Sequence, residues 1–569
     1  MRIASINLNR FRNFKSSVIR FNGNSLVIGA NDVGKTNLFY AIRLLLDRSI
    51  PETELEPKES DFHIDAKGNH ADQLAITIKF EDIKEDAVIS RLKGYVSDKG
   101  KCFISYRASR ESLTSSLFIG HSKNELEEIE SRYYLKSIHF KYVESTRDLG
   151  SFISRERRNL LKISKNSRDG NEKDADNTRE GKIKTSLDRI NASIAKLSYV
   201  EKATDSLNTE LQELSHHNAG FTVGLEAKSV DFSKFLDQLT LGASTGGVSV
   251  GLGGDGRNNQ ILLALWKAKS EVEHDLEDEA IIYCIEEPEA HLHPHQQRKL
   301  ASYLTNKLGG QVLISTHSPH ITSEFAPDRI VKLLEKSGAT RAANKGCSNC
   351  IKEAWAKMGY RMSVIPAEAF FSDGVFLVEG PSEVLFYKAL AKQIGIDLDF
   401  LNLCLLSVDG VDFPVYIRIL GAMEIPWVMR TDNDVTKVPR SDPVKYRFSG
   451  LNRALKIANE AVYNDHDTID HPSKLSAEHE EESKTLNPKG IYVAKVDLET
   501  DLVEALTDAL LEFTGAENHA DAIKYLQQRK AIRMGEFLVR HSNSVSTLAE
   551  DDLAKPLKHL AKLSAGRRS

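Results

Sequence analysis

Apolar and polar positions divide the chain into stretches of different period. Near the start, "SLVIGANDVGKTNLFYAIRLLL" reads as a short apolar strand, a Gly-bounded loop and an amphipathic helix. Alternating segments such as "QLAITIKFED" and "IHFKYVES" follow and predict strands. The chain then turns charged throughout in "SRERRNLLKISKNSRDGNEKDADNTREGKIK", where mixed signs predict a solvated helix end and loop rather than a DNA-binding patch. Next, Leu187, Ile190, Ile194, Leu197, Val200, Leu207, Leu211 and Leu214 recur at three- and four-residue steps with one gap, which predicts one apolar stripe on a long helix. The stripe can pack within the chain or against a second subunit, and its place as an insertion favours pairing.

Strands resume near Glu279 and run to about Lys332, after which the polar "EKSGATRAANKGCSNC" reads as a boundary. A second series opens at "GVFLVEG" and alternates strands with helices through "NLCLLSVDG", "PWVMRTDND" and "IYVAKVDLETDLVEAL". That alternation predicts an α/β domain with a largely parallel sheet. The basic end, "KPLKHLAKLSAGRRS", is expected to fray.

Composition changes the picture only by exclusion. A chain of 569 residues, 41% hydrophobic and 28% charged, is expected to fold as several globular domains. No window approaches the roughly 20 apolar residues of a membrane span, and the N-terminus lacks the apolar core of a signal peptide, so a cytoplasmic location is expected. The net charge of −5 does not announce nucleic acid, so any DNA contact must come from local patches. Five scattered cysteines exclude a disulfide scaffold, and "GCSNC" offers at most half of a zinc site.

Chemistry enters at "GANDVGKT", a P-loop pattern with Gly29, Gly34, Lys35 and Thr36 in the required places and Asn31 and Asn37 within its reach. Its backbone N–H groups would wrap ATP phosphates, Lys35 would neutralise the outer ones, and the Thr36 hydroxyl would ligate Mg²⁺. The strand of "IIYCIEEPEAHLHP" ends in Glu286 and Glu287, and that of "QVLISTHSP" ends at His317. Glu286 can hold the magnesium through water, Glu287 can polarise the attacking water, and His317 can sense the γ-phosphate.

The order of these parts resembles the ABC-type ATPases of the structural-maintenance and recombination-repair group. Two departures stand out: Glu286 replaces the usual Asp, and "LGGDGRNNQILLAL" has Gly253 where the family's signature serine is expected, which implies slow hydrolysis. Of the three histidines His291, His293 and His295, the first two fall in "PEAHLHP", a stretch that resembles the family's dimer-contact loop, so a structural role is preferred to metal binding.

Beyond this half, carboxylates recur after apolar strands. Asp432 and Asp434, read alone, fit an Asx-rich turn as readily as a metal site, although alternation in an extended chain would put both on one face. Glu379 ends another strand, Glu383 lies one turn into the next helix, and Asp497, Glu499 and Asp501 follow a further strand. Strands of a parallel sheet end on one edge, so the acids converge, and one or two Mg²⁺ or Mn²⁺ ions are implied.

This order resembles the Toprim domain. An ABC-type ATPase fused in front of Toprim resembles the OLD (overcoming lysogenization defect) nucleases, and "IGANDVGKTN", "IEEPE", "STHSP", "VEGPSE", "TDND", "GLNRAL" and "DLETDL" are similar in order and separation to the nuclease subunits of Gabija anti-phage systems. The resemblance implies ATPase parts at 1–150 and 231–345, a helical, dimerising insertion at 151–230 and a Toprim domain at 346–569. It implies a metal set of Glu379, Glu383, Asp432, Asp434, Asp497 and Glu499, with Glu379 as acid or base. A lysine on the scissile phosphate is assigned to Lys530, although Lys524 and Arg529 are near. The implied activity is nicking or double-strand cleavage of duplex DNA by a homo-oligomer that works with a helicase subunit, with nucleotide controlling access. A different class, an ATP-driven DNA clamp with a structural acidic cluster, stays open.

Overall fold

In the computed structural model, residues 1–144, 149–214, 243–245, 248–250, 261, 264–265, 280–290, 292–352, 364–410, 412–438, 445–463 and 472–568 are described. Gly253 and His291 lie outside them, so neither the signature reading nor the full histidine trio has a structural counterpart.

Three larger sheets, beside two two-stranded ones, organise the described residues. The first is six-stranded and antiparallel, in the order Phe14–Arg20, Arg2–Phe11, Gln73–Glu81, Cys102–Ser109, Thr114–Ser122, Glu125–Ile129. The second runs Ala339–Ala342, Ile330–Lys336, Ser25–Ile28, Gln311–Ser315, Ala280–Glu286, Ile138–Val143, and is parallel apart from its first pair. The third is wholly parallel, in the order Leu403–Ser407, Gly374–Val378, Trp427–Thr431, Ile491–Val493.

Uninterrupted apolar runs form the central strands because both faces of a parallel sheet are covered. Ile281, Tyr283 and Ile285 point into one core and Ile282 and Cys284 into another, which also holds the buried face of helix Lys35–Leu46. The same alternation separates Val375 and Leu377 from Phe376 and Val378. The core of Ile281 and Tyr283 continues to Val375 and Met429, so the second and third sheets share one apolar body.

Several expectations need correction. The apolar stripe does not lie on one long helix: the helix Gly170–Ala195 stops, and Ser198–Leu214 starts anew. Leu187 is buried, but Ile190 and Leu197 are 53% and 41% exposed, so the stripe is not one buried seam. The charged stretch is mostly helical, because Asp169 accepts from Glu172 N (2.7 Å) and starts a new helix at once. Within the polar stretch read as a boundary, Ala339–Ala342 forms a hairpin with Ile330–Lys336 on the edge of the second sheet, before the third sheet's strands begin. In "GCSNC", Cys347 is buried beside Ser25, Cys350 is exposed, and the described residues hold no cluster of three metal ligands. The C-terminal segment does not fray at once: it forms helix Lys555–Arg568, whose Leu557 and Leu560 enter the third sheet's core.

Candidate functional site

Two sheet edges gather polar side chains. At the first, strand Ser25–Ile28 feeds a loop that enters helix Lys35–Leu46 through Gly34, whose φ of 101° is left-handed. A Cβ there would come 1.9 Å from Asn13 Nδ2, so glycine is required by both conformation and space. Lys35 Nζ donates to the carbonyls of Gly29 (3.1 Å) and Ala30 (2.9 Å), within the loop that would cradle phosphate. Asn31 is exposed in this loop. The Asn37 side chain turns instead to scaffolding, donating to Asn13 Oδ1 and accepting from Arg12, both at 2.8 Å.

Glu286 ends its strand buried and accepts from Thr36 Oγ1 (3.0 Å) and Tyr142 Oη (2.8 Å). Burial raises its pKa, against these two donors. Glu287 follows with a φ of 44°, which aims its carboxylate at His317 Nε2, 3.3 Å away. Burial, then Lys35, lowers the His317 pKa, which favours the neutral ring at pH 7. Glu289, visible in "IEEPEAH" but given no role there, is buried and accepts from Thr316 Oγ1 (2.6 Å) and His317 N (2.8 Å), while its Oε2 has no partner. His293 and His295 stack with ring centroids 6.0 Å apart.

At the second edge, the strand ends of the third sheet bring Glu379, Glu383, Asp432 and Glu499 together with Lys530. Strand Trp427–Thr431 stops before the acids, so Asp432 and Asp434 are not presented by strand alternation: Asp432 is buried, whereas Asp434 has a φ of 47° and is exposed. The segment therefore turns at Asp434, while Asp432 stays buried among the other acids. Glu379 Oε1 accepts from Thr431 Oγ1 (2.5 Å), Asp432 N (2.9 Å) and Arg453 (2.8 Å). Glu383 is buried on helix Pro381–Gln393, and desolvation raises its pKa. Glu499, 1% exposed, accepts from Ser382 Oγ (3.4 Å) and lies 3.1 Å from Lys530 Nζ, which is also 3.8 Å from Asp432. Lys524 and Arg529 make no such contacts among the described residues.

Asp497 does not join this group as a free ligand. It caps helix Leu498–Ala505 by accepting from Thr500 N (2.8 Å), and its other oxygen accepts from Gln527 (2.6 Å). Asp501 is held by the buried Arg430 at 2.5 Å. Arg430 and Arg453 were not singled out from sequence, although "GLNRAL" contains the second.

Burial, reinforced by Glu379 and Glu383 and opposed by Arg430, pushes the Asp432 carboxyl up to about 8. Its Oδ1 is buried without a hydrogen-bond partner among the described residues. These side chains do not stand as a ready-made cluster of three ligands, but their all-oxygen donor set and the unpartnered buried acceptor match the chemistry of a hard divalent cation such as Mg²⁺ or Mn²⁺.

The two edges are mechanically joined. Thr340 Oγ1 donates to the P-loop carbonyl of Val33 (2.7 Å), and the next residue, Arg341, holds Glu424 with both guanidinium NH groups, one at 2.7 Å. Asn344 adds bonds to Glu424 (3.0 Å) and Ala422 O (2.8 Å), immediately before strand Trp427–Thr431. Hydrogen bonding to Arg341 lowers the Glu424 pKa to about 2. Because the folded value lies below the unfolded one, the pair's stabilisation is present above the unfolded carboxyl's pKa and is lost as pH falls through about 2. Glu424→Gln should therefore melt below the parent by a gap that stays constant from neutral pH down to about pH 5 and narrows only in stronger acid. A gap already closed at pH 5 in calorimetric scans would contradict this pairing.

Comparison with known proteins matches residues 1–322 to the family described as "AAA ATPase domain" and residues 370–434 to that described as "Overcoming lysogenization defect protein-like, TOPRIM domain". The chain is 25% identical to the protein called Endonuclease GajA of Bacillus cereus (strain VD045), over 96% of both chains. It is 29% identical to the Old nuclease of Escherichia phage P2 over 28% of each chain. It is 27% identical to the OLD nuclease of Thermus scotoductus (strain ATCC 700910 / SA-01), over 26% of this chain and 30% of that one.

Proposed function

Because the chain belongs to the AAA ATPase domain family and, with its Toprim domain, to the OLD-family ATPase–nucleases, we propose that it cuts double-stranded DNA at the Glu379–Asp432–Glu499 edge under control of nucleotide bound at the P-loop. The observation that carries this reading is that Glu379 and Glu383 lie beside Asp432, and Asp432 and Glu499 meet Lys530, with a buried Asp432 oxygen left unpartnered among the described residues.

Asp432, Glu383 and Glu499 would hold Mg²⁺ or Mn²⁺, with Glu379 and Asp434 beside them. Such ions supply activation of water and stabilisation of the leaving oxygen at a phosphodiester. Lys530 is 44% exposed at its side chain and kept cationic by Glu499, despite burial, so it can meet a non-bridging phosphate oxygen. The hydrogen bonds to Glu379 among the described residues all fall on Oε1, which leaves Oε2 to orient water as acid or base. Asp497 stays in the candidate set only as the cap that fixes where Glu499 points.

At the other edge, Gly29 to Thr36 would take ATP phosphates, with Glu286 and Thr36 on Mg²⁺ and Glu287 beside the attacking water. The Thr340–Arg341–Glu424 joint supports control of cutting by nucleotide, since it ties the P-loop backbone to the segment just before the strand that Asp432 follows. Homo-oligomerisation through the ATPase part and the helices at 149–214 is supported by their exposed Ile183, Ile190 and Leu197. The anti-phage role and the helicase partner rest on the family motifs spread along the chain.

The test is incubation with supercoiled and linear DNA, with and without Mg²⁺, Mn²⁺ and ATP. Cleavage is expected with metal and is abolished by chelator. Absence of cleavage, together with ATP-dependent DNA retention that survives Asp432→Ala, would favour the clamp.

A further inference from the structure

Arg453 has no role in the reading above, yet it is placed with care. Helix Ser449–Ala458 docks against the acidic loop through Gly450, whose N–H donates to Asn433 O at 2.7 Å. A Cβ on Gly450 would lie 2.2 Å from Asp432 O and 2.3 Å from Asn433 O, so only glycine permits this approach. Three residues on, the same helix face returns, and it delivers Arg453. Its guanidinium donates to Glu379 Oε1 (2.8 Å) and to Thr431 Oγ1, and it pairs with Asp434 through its second terminal nitrogen. At 15% exposure its side chain is more enclosed than that of Asp434, at 42%.

A guanidinium fixed between two carboxylates satisfies their charge where a divalent cation would otherwise do so. Two of the remaining acids face Lys530 instead, Asp432 through Oδ2 at 3.8 Å and Glu499 at 3.1 Å, Glu383 is near enough to feel its charge, and Asp432 Oδ1 is buried with no partner among the described residues. We propose that Arg453 is a built-in counter-cation for Glu379 and Asp434, so that the acidic edge takes one divalent ion tightly at Asp432, Glu383 and Glu499, and admits a second only when the guanidinium withdraws. This inference rests on the acidic edge being a metal site.

Mn²⁺ binding to the full chain, followed by electron paramagnetic resonance without DNA or nucleotide, tests it separately from cleavage. The parent should bind one Mn²⁺ tightly at this edge, identified by its loss in Asp432→Ala. Arg453→Gln should gain a second Mn²⁺ or bind about ten-fold tighter, whereas Arg453→Lys, which keeps the charge, should retain the parental count. Equal count and affinity in the parent and a folded Arg453→Gln overturn the role of Arg453 alone. No Asp432-dependent Mn²⁺ in either protein overturns the metal-site reading with it. Asp434→Asn provides a second arm that leaves the helix untouched: the tight ion should keep its affinity, and a loss of about ten-fold or more would make Asp434 a ligand of that ion and overturn the proposal.

Discussion

Asp432→Asn is expected to lower DNA cleavage by about 10³-fold or more while leaving the protein folded. The loss follows from position: Asp432 is the buried carboxylate between Lys530 and the Glu379–Glu383 side of the edge. Folding survives because this carboxylate is not holding the structure together. Its Oδ1 accepts no hydrogen bond from the described residues and burial disfavours its charge, so a neutral amide of the same shape removes a desolvation cost. The metal-free variant should therefore melt at or above the parent's temperature at pH 8. Retained cleavage at more than a tenth of the parental rate, with the variant's fold intact, would show that the reaction occurs elsewhere.

Lys35→Ala is expected to weaken ATP binding by about a hundredfold, the scale of losing charge-assisted bonds to phosphate. Lys35 Nζ is held inside the loop by Gly29 and Ala30, with Glu286, Glu287 and Glu289 close enough to offset part of the burial that lowers its pKa. Removing it leaves the Toprim edge untouched in composition. Cleavage should then persist at one fixed level, whether ATP is present or not. Equilibrium binding of a fluorescent ATP analogue, run beside the cleavage assay, separates the two effects. If the variant's cleavage still responds to ATP as the parent's does, the P-loop is not the controlling site.

Much of the architecture was legible because it depends on short-range pattern. An apolar run of five residues such as Gly374–Val378 suits a strand covered on both faces, and Gly380 and Pro381 start the helix that follows. The P-loop is equally local, because the backbone turn at Gly34 and the reach of Lys35 are set within a few residues. Errors arose where a pattern was right in period but silent about interruption. The leucine stripe has helical spacing, yet the chain stops at Lys196 and restarts. The stretch Glu335–Cys350 has no large apolar residue, yet it forms an edge hairpin and buries Ala342, Ala343 and Cys347.

By itself, then, the sequence determined which strands end in carboxylates, where a phosphate loop lies, and that the two belong to successive α/β units. Tertiary structure alone decided which of those acids work together. Asp497 and Glu499 are two residues apart, but one caps a helix and the other faces Lys530. Arg430 neutralises Asp501, Arg453 clamps Glu379 to Asp434, and Arg341 ties the P-loop's neighbour to Glu424. The physical reason is that strand and turn preferences act over a few bonds, whereas the charge balance of a buried site is set by whichever distant side chains packing brings within a few ångströms.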